Sequence, residues 1–155
     1  MHDADGSQKA DLSRASGDPI RIAAALLCDG EGRLLLVRKA GTPWFMQAGG
    51  KIECGESPHV ALQRELREEI GLTIDLAGVR HLGRFSAMAA NEPGRTVEAE
   101  LFRVPLQGVP VAGSEIAELI WIDSSEAVRL PLAPLTRDHV LPLALGLEGR
   151  AEGGA

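Results

Sequence analysis

Apolar residues dominate positions 20–28 (IRIAAALLC) and return at 33–38 (RLLLVR), with the turn-forming run Asp29-Gly30-Glu31-Gly32 between them. A short apolar run bounded by such a signal predicts a buried strand, and two of them predict a hairpin. A loop at 39–43 leads to a short extended piece at 44–47 (WFMQ) and then to a corner at Ala48-Gly49-Gly50. Further strand-like segments lie at 72–85, 96–104 and 119–122 (LIWI), with Asn91-Glu92-Pro93-Gly94 as the turn between the first two.

The pattern changes period at 57–70. Leu62, Leu66 and Ile70 recur every four residues, which predicts a helix with one apolar stripe. Ser57 is placed to cap it, Pro58 suits the first helical position, and Gly71 stops it. Helices are also predicted at 124–129 and 136–147, with Pro131 and Pro134 breaking the chain between them. Strands first, a central helix, then closing helices predict an α/β (α+β) sandwich with a mixed β-sheet. Residues 1–18 read as a loose Asp/Ser/Gly/Ala leader, 19–147 as one domain, and 148–155 as a frayed tail.

Composition narrows the partners. A chain of 155 residues, 45% hydrophobic and 25% charged, fits one ordinary globular core. The net charge of −6 argues against a nucleic-acid or anionic-membrane binder, both of which need a basic face. It leaves room for a small phosphorylated ligand, because a divalent cation reverses the local field. No apolar run of about 18 residues marks a membrane span, and positions 1–17 carry no secretory h-region. Cys28 and Cys54 lack zinc-site spacing and companion histidines, so they read as free thiols. A cytoplasmic chain is the expectation.

One cluster carries chemistry. Glu65, Glu68 and Glu69 stand at i, i+3 and i+4, within about 100° of the helix surface. Carboxylates that close repel one another unless a cation sits among them. Arg64 and Arg67 relieve part of this, and hard Mg²⁺ would relieve more. A solvated charged face is the plainer reading of such a cluster taken alone. The segment before the helix weighs against it, since Gly49-Gly50 is a corner where backbone can approach a ligand closely.

Gly50, five residues, Glu56, seven residues, then Arg64-Glu65-Leu66-Arg67-Glu68-Glu69-Ile70-Gly71-Leu72 resembles the Nudix box at every fixed position. The resemblance implies an α/β/α sandwich carrying a loop–helix–loop. It also implies Mg²⁺-dependent hydrolysis, with Mn²⁺ able to substitute, of a phosphoanhydride bond in a nucleoside diphosphate linked to another moiety. By that analogy Glu69, Glu65 and Glu68 are metal ligands, and the carbonyl of Gly49 completes the set. Glu65 is also a candidate general base, oriented by Arg64; related enzymes differ over which glutamate activates water, so Glu68 stays a catalytic candidate. Glu56 would support the site from behind or hold a further metal. Ala48 departs from the proline many members carry there, with a small expected effect on loop rigidity and none on metal binding.

Outside the box the readings stay open. Trp44 and Phe45 offer an aromatic face to a base, or simply pack the sheet. Arg38 and Lys39 contact phosphates, or are solvated. Glu115 and Glu118 precede Trp121, where some relatives place an acid that reads the base; the alternative is an acidic surface loop. Trp121 reads as core, Met46 and Met88 as packing, and His59, His81 and His139 are scattered without ligand spacing. The leading function is a nucleoside triphosphate pyrophosphohydrolase, oxidised nucleotides included. The alternatives are hydrolysis of a non-nucleotide pyrophosphate and a non-catalytic nucleotide sensor. The expected partner is a small phosphorylated molecule, and a homodimer is compatible with a domain of this size.

Overall fold

Two alternations along the first strands build the core of this computed structural model, which describes residues 17–154, with side chains described through Leu147. The leader expected over 1–18 therefore lies, but for its last two residues, outside the described residues. In β1 (Ile20–Leu26), Ala23 and Ala25 face one side of the sheet layer and Ala24 and Leu26 the other. In β2 (Arg33–Lys39), Leu35 and Val37 join the first side and Leu34 and Leu36 the second. Strands apolar on both faces need cover on both.

Helix α1 (Pro58–Ile70) covers the first side with Ala61, Leu62, Leu66 and Ile70. The C-terminal segment covers the second with Leu135, Val140, Leu141 and Ala144. The result is the α/β/α sandwich the sequence led us to expect.

Two sheets share the middle layer. The first runs β4 (Gly49–Lys51), β1, β6 (Thr96–Arg103), β5 (Arg80–Met88); β1 lies parallel to β6 and antiparallel to β4, so it is mixed. The second runs β3 (Phe45–Met46), β2, β7 (Ile116–Asp123) and is antiparallel. The expected hairpin is only partly present. Asp29 closes the turn, its carboxylate accepting the Glu31 and Arg33 N–H groups, and Cys28 bridges Leu34. Beyond that bridge β1 and β2 part into different sheets, β1 pairing with β4 and β6 and β2 with β3 and β7.

Other boundaries also move. The stretch expected as strand from 72 starts with a short 3₁₀ turn, Leu76–Gly78, capped by Asp75, and pairing begins only at Arg80. The closing helix is split. A π-helical turn, Thr136–Val140, precedes α3 (Leu141–Gly154), while α2 is the short Ser124–Ala127. Pro142, with no N–H and a ring that crowds the preceding turn, accounts for the widened turn there. Helix α3 continues to Gly154, past the end expected at Leu147. No helix among the described residues is long and apolar enough to cross a membrane.

Candidate active site

Helix α1 begins as its sequence dictates. Ser57 Oγ accepts the Val60 N–H at 3.2 Å, and Pro58 occupies the first turn. At the other end Gly71, at φ 68°, donates back to Arg67, and Leu72 to Leu66, which ends the helix cleanly. Glu65, Glu68 and Glu69 consequently face the Gly49-Gly50 corner and line one cleft.

The corner is held against β1. Gly49 and Gly50 pair with Ala24 and Ala23, and the Ala48 carbonyl accepts the Ala25 N–H at 2.9 Å. At φ 148°, and with backbone of Ala23 and Ala24 where a Cβ would stand, position 49 admits only glycine. Position 50 is restricted from the other side, since a Cβ there would overlap the Glu65 carboxylate. The two glycines thus let helix carboxylates and sheet backbone meet directly.

Arg64 ties the cluster together. Its Nε and Nη2 donate to the two oxygens of Glu56 at 2.7 and 2.8 Å, and Nη2 also reaches the Lys51 carbonyl at 3.0 Å. Its Nη1 donates to Glu65 at 2.9 Å and to Glu68 at 3.5 Å. The Arg64 guanidinium holds the Glu56 carboxyl down at about 2, helped by the Glu53 N–H, and the carboxylates in turn push the Arg64 pKa upward. Both Glu56 oxygens are engaged by Arg64, an arrangement that suits a supporting role more than a further metal site.

A folded-state pKa below the ordinary 4.5 means that Glu56 stabilises the protein above pH 4.5 and that this contribution is lost as pH falls toward 2. Urea unfolding of Glu56→Gln beside the parent is expected to show a larger stability gap at pH 6 than at pH 3.

Glu69 differs from its neighbours. It lies on the buried stripe of α1, its side chain 7% exposed, with Oε1 accepting the Gly49 N–H at 3.0 Å and Oε2 3.9 Å from Lys39 Nζ. Burial pushes its pKa up to about 7; the Gly49 N–H and Lys39 oppose this, and Glu65 and Glu115 add to it. Lys39 arrives there by the alternation of β2, which puts it on the α1 side with Leu35 and Val37. Gly113 packs on the end of α1, its N–H donating to the Glu69 carbonyl at 2.8 Å, and sets Ser114 and Glu115 beside the three glutamates in an adjoining recess of about 180 Å³.

The main cleft holds about 410 Å³. Its wall carries the charged side chains of Lys39, Lys51, Glu53, Arg64, Glu65, Glu68, Glu69, Glu92 and Glu115 together with the aliphatic ones of Ile20, Ile22, Met46, Met88, Val97 and Leu135. Several expected contacts fall elsewhere. Arg38 and Glu118 are cross-strand partners bonded to each other at 2.7 Å, with Arg38 also donating to the Thr42 carbonyl, so neither lines the cleft. Phe45 is buried in the second core with Leu132 and Leu135, so the packing alternative holds for it; Trp44 does not line the cleft.

Met46 packs against the first core, as expected, and both it and Met88 also line the cleft. Gln47, Lys51, Asn91 and Ser114 went unnoticed in the sequence; only Gln47, beside the glycine corner, carried a signal there. Among the described residues no three His, Cys, Asp or Glu side chains already converge as a metal cage.

The fold and this arrangement have known counterparts. The NUDIX domain family matches residues 18–144. The chain is 34% identical over 122 residues to the CTP pyrophosphohydrolase of Escherichia coli K12, covering 74% of this chain and 84% of that one. It is 37% identical over 118 residues to the NAD-capped RNA hydrolase NudC of Mycobacterium tuberculosis, but spans only 36% of that protein's length.

Among solved structures, the E. coli ORF135 protein superposes with a TM-score of 0.69 at 30% identity, covering 87% of this chain and 94% of that one. The MutT protein of Methanosarcina mazei Go1, at 20% identity and a TM-score of 0.71, covers 86% of this chain and 97% of its own, and shares the fold. With the family model matching residues 18–144 and the CTP pyrophosphohydrolase 34% identical over most of its own length, this chain belongs to the Nudix hydrolases and is a pyrophosphohydrolase.

Proposed function

We propose that the chain hydrolyses a nucleoside triphosphate to the monophosphate and pyrophosphate, using Mg²⁺ held by Glu65, Glu68 and Glu69. One observation carries this reading: a single cleft is lined by three helix carboxylates, a glycine corner and a set of aliphatic side chains. The carboxylates suit metal and phosphates; the aliphatic side chains suit a flat, neutral group such as a base. The CTP pyrophosphohydrolase, most of whose length this chain covers, supports a nucleoside triphosphate. A net charge of −6 favours a small substrate over an RNA chain.

The donor set fits a hard divalent cation. Carboxylate oxygens of Glu65, Glu68 and Glu69 and the Gly49 carbonyl are the oxygens such an ion prefers, and Glu69 is a buried carboxylate with a single protein hydrogen bond to Oε1. When bound, Mg²⁺ supplies positive charge against the phosphate oxygens and acidifies water.

The chain's own groups do the rest. Arg64 holds Glu65 by a charge-assisted bond in position to accept a proton from attacking water. Lys39 and Lys51 bring cationic side chains to the cleft, where charge develops on phosphate oxygens. A cytoplasmic setting, where nucleotides and Mg²⁺ are plentiful, accords with this reading.

The test is a Mg²⁺-dependent pyrophosphate-release screen over CTP, UTP, GTP, ATP and oxidised guanine nucleotides, with ADP-ribose, nucleotide sugars and an isoprenoid diphosphate as contrasts. Pyrophosphate and monophosphate in equal amounts from a nucleoside triphosphate are expected. Turnover confined to the non-nucleotide diphosphate would replace this reading.

A further inference from the structure

Among the described residues the wall of the cleft has no aromatic ring. A base lying between Ile22, Met46, Met88 and Leu135 gains apolar contact but little that tells one base from another. Discrimination between bases there requires a polar group of fixed orientation. One stands in the wall of the same cleft.

Gln47 is 6% exposed, two residues before Gly49, and lines the cleft. Its Oε1 accepts the hydroxyl of Thr136 at 2.7 Å, a bond spanning 89 residues, and Thr136 is fully buried in the π-helical turn. With the oxygen held by Thr136, turning the amide plane would break that bond, and the nitrogen stands on the other branch of the amide. Among the described residues that nitrogen donates to no protein group. It is also not among the buried atoms shut off from solvent without a partner, so it is accessible, and the cleft is the space Gln47 lines.

Resting on the function proposed above, we infer that Gln47 is a specificity-determining residue whose Thr136-oriented amide N–H donates to a carbonyl oxygen of the substrate base. Cytosine, uracil and guanine carry such an oxygen; adenine does not. Adenine offers only ring nitrogens as acceptors and carries an amine, itself a donor, where guanine carries O6, so an amide N–H set to meet an exocyclic oxygen loses its bond to water without an equal replacement, which sets the discrimination at roughly tenfold or more.

The experiment compares kcat and KM for CTP, UTP, GTP and ATP with Mg²⁺ in the parent, in Gln47→Met, which keeps length but removes the donor, and in Thr136→Val, which keeps shape but removes the hydroxyl. The parent is expected to favour the carbonyl-bearing bases over ATP by about tenfold or more in kcat/KM. Gln47→Met is expected to bring that ratio to within about threefold, mainly by raising KM for the favoured bases, and Thr136→Val to shift it the same way.

Calorimetric binding of CMP and AMP should show the same loss of preference. If Gln47→Met does not fold, Thr136→Val and the parent's base preference decide the matter. A ratio untouched by the variants, or a preference that follows the exocyclic amine of cytosine and adenine, overturns the assignment while leaving the proposed function intact. Failure of the parent to hydrolyse any nucleoside triphosphate overturns both.

Discussion

Glu69→Gln is expected to lower kcat by about 10²–10³-fold, an effect of the size seen when one preorganised charge-stabilising group is removed. The change keeps the side chain's shape and its bond from the Gly49 N–H, so the fold should survive. What it removes is a negative charge in a place where burial already disfavours that charge. The two consequences have opposite signs, which makes the variant diagnostic.

With metal chelated, Glu69 has a folded pKa of about 7, above its ordinary 4.5. Its protonation therefore stabilises the fold at low pH, and that contribution is lost as pH rises from about 4.5 through about 7. At pH 8 in EDTA the glutamine variant should then be more stable than the parent, by on the order of 1–3 kcal/mol. Added Mg²⁺ should stabilise the parent and leave the variant little changed. Stopped assays beside urea unfolding with and without Mg²⁺ check both halves; a variant with near-normal turnover would remove Glu69 from the account.

Arg64→Met is expected to cost about 10–100-fold in turnover, the range for losing a partner that orients a metal-site residue. A single guanidinium holds Glu56 by two bonds, touches Glu65 and Glu68, and fastens the helix to the Lys51 carbonyl. Removing it frees the Glu65 side chain and leaves Glu56 and its neighbours as unrelieved negative charge. Stability should fall as well, by about 1–3 kcal/mol, because several hydrogen bonds to charged groups go together.

Arg64→Lys keeps the charge but cannot span Glu56 and Glu65 at once, so it should recover stability more than turnover. Urea unfolding and steady-state rates on the same preparations separate the two. Equal recovery of both by lysine would show that charge alone, without the fork geometry, is what the site needs.

What the sequence disclosed, and what it hid, follow from the range of the forces involved. Helix α1 was legible to its ends because its determinants are local: a serine cap, an N-terminal proline, a four-residue apolar repeat and a terminating glycine. The three glutamates were legible for the same reason, since helical spacing alone places them together. The glycine corner was visible, though its cause was not; only the structure shows that Gly49 makes room for β1 and Gly50 for Glu65.

Long-range pairing was opaque. Arg38 looked free to meet phosphate until β7 brought Glu118 against it, and Phe45 looked like a platform until Leu132 and Leu135 closed over it. Lys39 and Arg38 looked equivalent, yet successive residues of β2 face opposite sides, and only Lys39 is turned to the cleft. Gln47 was passed over because nothing adjacent in sequence hints at Thr136. The separation of β1 from β2 was hidden too, since a strand apolar on both faces does not say which neighbour it will take.

The most direct measurement is a crystal structure grown with excess Mn²⁺ standing in for Mg²⁺, with the ion located by its anomalous scattering. The expected result is a peak in the cleft, liganded at about 2.1 Å by carboxylate oxygens of Glu69 and at least one of Glu65 and Glu68. A cleft without an ion at saturating Mn²⁺, its glutamates turned to solvent, would contradict the claim that these side chains are gathered to bind a divalent cation.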